Sequence, residues 1–97
     1  MTNLSNEQLV RLALFDEIEE ERAYQDQKWG TTFDDQNTAN DWVTYINNYA
    51  TAAAPLKLDV PNFETKMRKV AALAIAAIET SRRNGGLAPR HYDKVLV

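Results

Sequence analysis

The run Asp16-Glu17-Ile18-Glu19-Glu20-Glu21-Arg22 is the densest group of side chains able to do chemistry in this sequence. No glycine or proline interrupts the chain from Leu9 to Lys28, so the run sits inside a helix. With about 100° per residue, Leu14, Glu21, Arg22, Gln25 and Trp29 all fall within about 60° of Ile18. An otherwise apolar stripe therefore carries three polar residues. Glu19, Glu20 and Ala23 occupy the opposite, solvent side, while Glu17, Glu21 and Lys28 line one edge of the stripe. Buried charge is costly unless it is paired or bound to metal. A pair between Glu21 and Arg22, or cover from a second subunit, would meet that demand. So would a divalent cation such as Mg²⁺, because Glu17 and Glu21 at i and i+4 present two hard carboxylate ligands side by side.

Asp34 and Asp35 could add carboxylates to such a site, Asp34 as a further ligand and Asp35 as a ligand or general base. They could equally make the turn that precedes the next helix. Lys66, Arg68 and Lys69 are either surface charges, partners of the acidic helix, or contacts for phosphate. His91 is the only histidine and cannot build an imidazole metal site alone, which leaves it a structural or ligand-contact role. Trp29, Trp42, Tyr45 and Tyr49 fall on helical stripes and read first as core, with base stacking as the second use. Glycine-rich phosphate loops, serine elbows and zinc spacings do not occur.

Three helices must position these groups. Leu4-Ser5-Asn6-Glu7-Gln8-Leu9 holds a capping box, Ser5 with Gln8, and a hydrophobic staple of Leu4 on Leu9. The first helix runs to Gly30, and the polar segment from Gly30 to Asn37 reads as a turn. Thr38 with Asp41 caps a second helix, whose stripe is Trp42, Tyr45, Ile46, Tyr49 and Ala53 and which Pro55 stops. The third covers roughly Asn62 to Arg83. Its stretch Val70 to Ile78 is apolar on every side, as in a helix surrounded by others. Arg82 and Arg83 suit its C-terminal dipole, and Gly85 or Gly86 provides a left-handed cap. The tail from Leu87 to Val97 reads as irregular or as one short turn. Two neighbours cannot cover a helix apolar all round, so we expect a homo-oligomer, most simply a four-helix bundle shared between chains.

At 97 residues there is room for one domain, spanning 1–97, and no period-two alternation suggests a sheet. The fold class is all-α. A net charge of −3 repels phosphate backbones and anionic lipid, which argues against duplex nucleic acid and membrane surfaces as partners. Without cysteine there are no disulfides or thiol chemistry. The first residues lack a signal-peptide pattern, and Val70 to Ile78 is far shorter than the ~20 residues of a membrane span. A cytoplasmic location is expected.

The segments Glu17-Ile-Glu-Glu-Glu-Arg22, Gln25-Asp-Gln-Lys28-Trp29-Gly30, Asp34-Asp35-Gln36 and Lys69-Val-Ala-Ala-Leu-Ala-Ile-Ala-Ala-Ile-Glu79 resemble small phage and prophage proteins of the MazG-like type. The resemblance spans Glu17 to about Arg83. It implies an all-α, usually oligomeric protein that hydrolyses nucleoside triphosphates to monophosphates and pyrophosphate. Such proteins hold Mg²⁺ with Glu-Glu-x-x-Glu on one helix and Glu-x-x-Asp on a later one. Glu17, Glu20 and Glu21 match the first set loosely. In place of the second stands Lys66-Met67-Arg68-Lys69, and a protonated lysine cannot ligate Mg²⁺. Two functions follow from the resemblance. In one, Glu17, Glu21 and Asp34 hold Mg²⁺, with Asp35 as a further catalytic group and Arg22, Gln25, Lys28, Lys66 and Lys69 contacting the nucleotide. In the other, the chain binds nucleotide phosphates directly through its lysines without catalysis. A third possibility is a module that binds a host protein through its acidic surface.

Overall fold

In the computed structural model, which describes residues 3–90, three α-helices follow one another: α1 Asn6–Gln36, α2 Ala39–Ala53 and α3 Val60–Asn84. A 3-10 turn, Ala54–Leu56, lies between α2 and α3. Each start is set by local hydrogen bonding. The Ser5 hydroxyl accepts from the Gln8 amide at 3.1 Å and the Gln8 side chain accepts from the Ser5 amide at 2.7 Å. Thr38 and Asp41 repeat that reciprocal cap at 3.1 and 2.9 Å. Asp59 caps α3 through the amide of Asn62. At the other end of α3, Gly85 closes the helix in the left-handed conformation, φ 67°, with Arg82 and Arg83 in the last turn. Leu4 and Leu9, expected to staple the start of α1, are both exposed.

The first helix breaks at Gly30, as expected, but a short further helical segment follows in place of a turn. That glycine takes φ 80° and ψ 169°, a conformation reserved in practice for glycine, and helical structure resumes directly beyond it as far as Gln36. The expected turn from Gly30 to Asn37 is thus a kink followed by further helix. The change of direction turns Asp34 inward, where it is buried, and leaves Asp35 exposed. Helix α2 ends at Ala53, as expected just before Pro55, which lies in the 3-10 turn that follows.

Both α1 and α2 pack on α3, which is the central element. Glu17 pairs with Arg68, Glu21 with Lys69 and Asp35 with Arg83, so α1 and α3 advance in the same direction, while α2 runs back along α3. Ala72, Ala76 and Thr80, one turn apart, form the buried face of α3. Their small side chains allow close helix approach, and the Thr80 hydroxyl donates to the Ala76 carbonyl at 2.8 Å. The enclosure expected on every side of α3 is incomplete in the single chain, since Ile75 and Ile78 remain exposed. After α3, Ala88 forms an isolated bridge to Thr38 at the junction of α1 and α2. Among the described residues no helix is long and apolar enough to cross a membrane. His91 and the rest of the tail lie outside the described residues.

Candidate functional site

Where the three helices meet they leave a cavity of about 310 Å³. Helix α1 contributes Arg22, Gln25, Trp29, Phe33 and Asp34, α2 contributes Trp42, Tyr45, Asn48 and Tyr49, and α3 closes the floor with Leu73 and Ala76. Its walls are aromatic. Trp29 and Phe33 lie 5.0 Å apart between centroids, Phe33 stacks on Tyr45 at 6.4 Å and 22°, and Trp42 meets Tyr45 edge-on at 6.2 Å. Such faces accept a flat ring by stacking.

Polar groups are set into this apolar surface. The Arg22 guanidinium, 11% exposed, donates from Nε to Glu79 at 2.8 Å and from a terminal nitrogen to Asp34 at 3.3 Å. The buried charge is therefore paired across helices, as the desolvation cost requires. Burial pushes the Asp34 carboxyl above its usual range, and the pull of Arg22 offsets only part of that. The Tyr45 hydroxyl donates to the Asn37 side-chain oxygen at 3.2 Å. Burial, with the charge of Asp41, raises the Tyr45 pKa. Among the described residues, three buried side-chain atoms have no hydrogen-bond partner: Gln25 Oε1, Trp42 Nε1 and Asn37 Nδ2. An unpaired buried polar group costs ~1–3 kcal/mol, and Gln25 and Trp42 belong to the cavity wall.

A smaller recess of about 110 Å³ adjoins this cavity and shares Gln25, Trp29, Tyr49 and Leu73 with it. Lysines gather there on aromatic rings. Lys28 stands 5.0 Å from the centroid of Trp29, while Lys66 and Lys69 stand 5.6 and 5.8 Å from that of Tyr49. Lys69 also bonds Glu21 at 2.9 Å, and this hydrogen bond raises its pKa, which keeps it cationic.

Of the residues singled out from the sequence, Arg22, Gln25 and Asp34 meet in the cavity, and Glu21, Lys28, Lys66 and Lys69 meet at its mouth. The inward Glu21 is not paired with Arg22 but with α3. Glu17, Glu21, Asp34 and Asp35 are not gathered into one ligand set. Each carboxylate is taken by a different cation: Arg68, Lys69, Arg22 and Arg83 respectively. Arg83 and Asn84 hold the Asp35 carboxyl below its usual range by hydrogen bonding, on the outer side of the bundle. Among the described residues no group of three or more histidine, cysteine, aspartate or glutamate side chains could hold a metal ion. Reasoning from the sequence missed Phe33, Asn37, Asn48 and Glu79. Glu79 was accessible to it in principle, because an inward arginine demands a carboxylate and Glu79 directly follows the apolar stretch of the third helix.

Compared with protein-family models, curated proteins and solved structures, the chain has no match. Function must be judged from the site itself.

Proposed function

We propose that this chain binds a nucleotide, with the base between the aromatic walls of the cavity and the phosphates at Lys28, Lys66 and Lys69. The observation that carries this is an aromatic cavity beside a recess where lysines gather, the two sharing Gln25, Trp29, Tyr49 and Leu73. Aromatic faces suit a base, and ammonium groups suit phosphate oxygens. The resemblance to MazG-like proteins points to the same ligand class. In this proposal the lysines of α3 supply the positive charge that Mg²⁺ supplies in that family, and no turnover is needed.

Mg²⁺-dependent hydrolysis of a nucleoside triphosphate is the second reading. In its favour, Glu17 and Glu21 stand one turn apart on the side of α1 that faces α3. Glu21→Gln separates the two. For a direct binder the substitution frees Lys69, so affinity for a nucleoside triphosphate is unchanged or higher, in Mg²⁺ or in EDTA, while Lys69→Ala loses about tenfold. For a metal enzyme, Glu21→Gln abolishes Mg²⁺-dependent binding and pyrophosphate release. Titration calorimetry and a pyrophosphate assay on the folded variants decide between them. Failure of every nucleotide to bind overturns both.

A further inference from the structure

We infer that the ligand carries a second base beyond its phosphate, as a dinucleotide does, and that this base stacks on Tyr24 outside the aromatic cavity. The inference rests on the nucleotide proposal and names the kind of nucleotide. Tyr24 lines the small recess but not the cavity, and it is 53% exposed. Trp29, 52% exposed, lines both. With Tyr49 they place three rings from two helices around one recess. A ring that serves only as core gives up its surface to neighbours, whereas a platform for a base keeps a face open.

The lysines tie the two places together. Lys28, Lys66 and Lys69 are three of the five lysines in a chain whose net charge is −3, and Glu21 is the carboxylate among the residues lining the recess. Lys28 stands 6.0 Å from the centroid of Tyr24 and 5.0 Å from that of Trp29, while Lys69 stands 6.0 Å from Tyr24 and 5.8 Å from Tyr49. Each of these ammonium groups therefore neighbours both Tyr24 and a ring of the cavity wall. A phosphate held by the pair has an aromatic face within reach of the nucleoside on either side of it. Lys28 has no carboxylate partner among the described residues, so its flexible stem can follow the phosphate and uncover both rings. A longer strand is not favoured. Glu20 and Glu17 precede Tyr24 by four and seven positions on the same side of α1, and a backbone continued past Tyr24 toward the start of that helix would meet their charge.

Removing the second base from the ligand tests this at constant charge. Titration calorimetry on the natural chain compares 5′-phosphorylated dinucleotides of each of the four bases with partners whose second ribose lacks its base. Whichever parent binds, it is expected to bind about tenfold more tightly than its abasic partner, as the stacking of one base on one ring allows. In Tyr24→Ala, a change at an exposed position, that difference should vanish. In Tyr24→Phe, which keeps the ring, it should persist. Equal binding of parent and partner by the natural chain would overturn the inference, as would a difference that survives Tyr24→Ala; binding of nucleoside triphosphates in the same titrations would leave the nucleotide proposal standing. A four-nucleotide strand that binds more than about tenfold more tightly than the dinucleotide would overturn the limit of two bases. Failure of nucleoside triphosphates and dinucleotides alike would instead overturn the nucleotide proposal itself.

Discussion

Asp34 sits where two electrostatic effects oppose each other, and its titration reports which one dominates. Burial raises its pKa and Arg22 lowers it, with burial the larger. A carboxyl whose folded value lies above its ordinary 3.8 holds its proton more tightly in the folded state than in the unfolded one. The stability it contributes is then complete below pH 3.8 and is lost as pH rises through the higher folded value. The urea midpoint of the natural chain minus that of Asp34→Asn should therefore be greatest in acid and decline toward neutrality. A difference that grows with pH would mean that attraction to Arg22 outweighs burial. Glu21 presents the complementary case at the cavity mouth. Its bond to Lys69 occupies a cation that a phosphate would otherwise use, which is why the Glu21→Gln test separates binder from metal enzyme.

At the scale of elements, the Gly30 kink decides whether the last part of α1, with Phe33 and Asp34, joins the cavity wall that Arg22, Gln25 and Trp29 begin. Without it the helix axis would continue straight past the bundle, and Phe33 and Asp34 would not reach the cavity wall. A Cβ at position 30 would meet nothing within 4 Å, so Gly30→Ala costs only the backbone strain of φ 80°. That is about 1–3 kcal/mol, to be seen in thermal denaturation, and nucleotide affinity should fall with it as the wall shifts. Unchanged melting would show that the chain at Gly30 can adopt ordinary helical geometry. Helix starts were legible in the sequence because a cap is a contact between residues three apart: Ser5 with Gln8, and Thr38 with Asp41. The helical segment beyond Gly30 was not, because its polar composition favours a turn and the contacts that hold it are distant in sequence: Asp35 with Arg83 and Asn84, and Phe33 on Tyr45.

At the scale of the molecule, buried apolar side chains are few and mostly small. Trp42 is the large one among the described residues, beside Ala53, Ala72 and Ala76. Large apolar groups remain outside on two helices: Leu9, Leu12 and Phe15 on α1, and Phe63, Ile75 and Ile78 on α3. We propose that a second copy covers the exposed face of α3, which would complete the enclosure that its all-round apolar sequence calls for. Ile78→Glu tests this with little risk to the fold, because Ile78 is already 52% exposed within one chain. Sedimentation equilibrium should find the natural chain associated and the variant monomeric, with similar helix content by circular dichroism. A natural chain that stays monomeric at high concentration would overturn it.

The sequence by itself determined the all-α class, the three helices, their caps and the inward side of α1, because these depend on residue periodicity and on contacts within a few positions. Arg22 and Gln25 were placed inside on that basis, and both are buried. Only the tertiary structure decided which charges pair. Periodicity says which way a side chain points but not what it meets there, so Glu21 could not be assigned to Lys69, or Arg22 to Glu79, before α1 and α3 were set side by side. For the same reason the cavity, whose walls come from residues up to 54 positions apart, between Arg22 and Ala76, became visible only when the helices were packed.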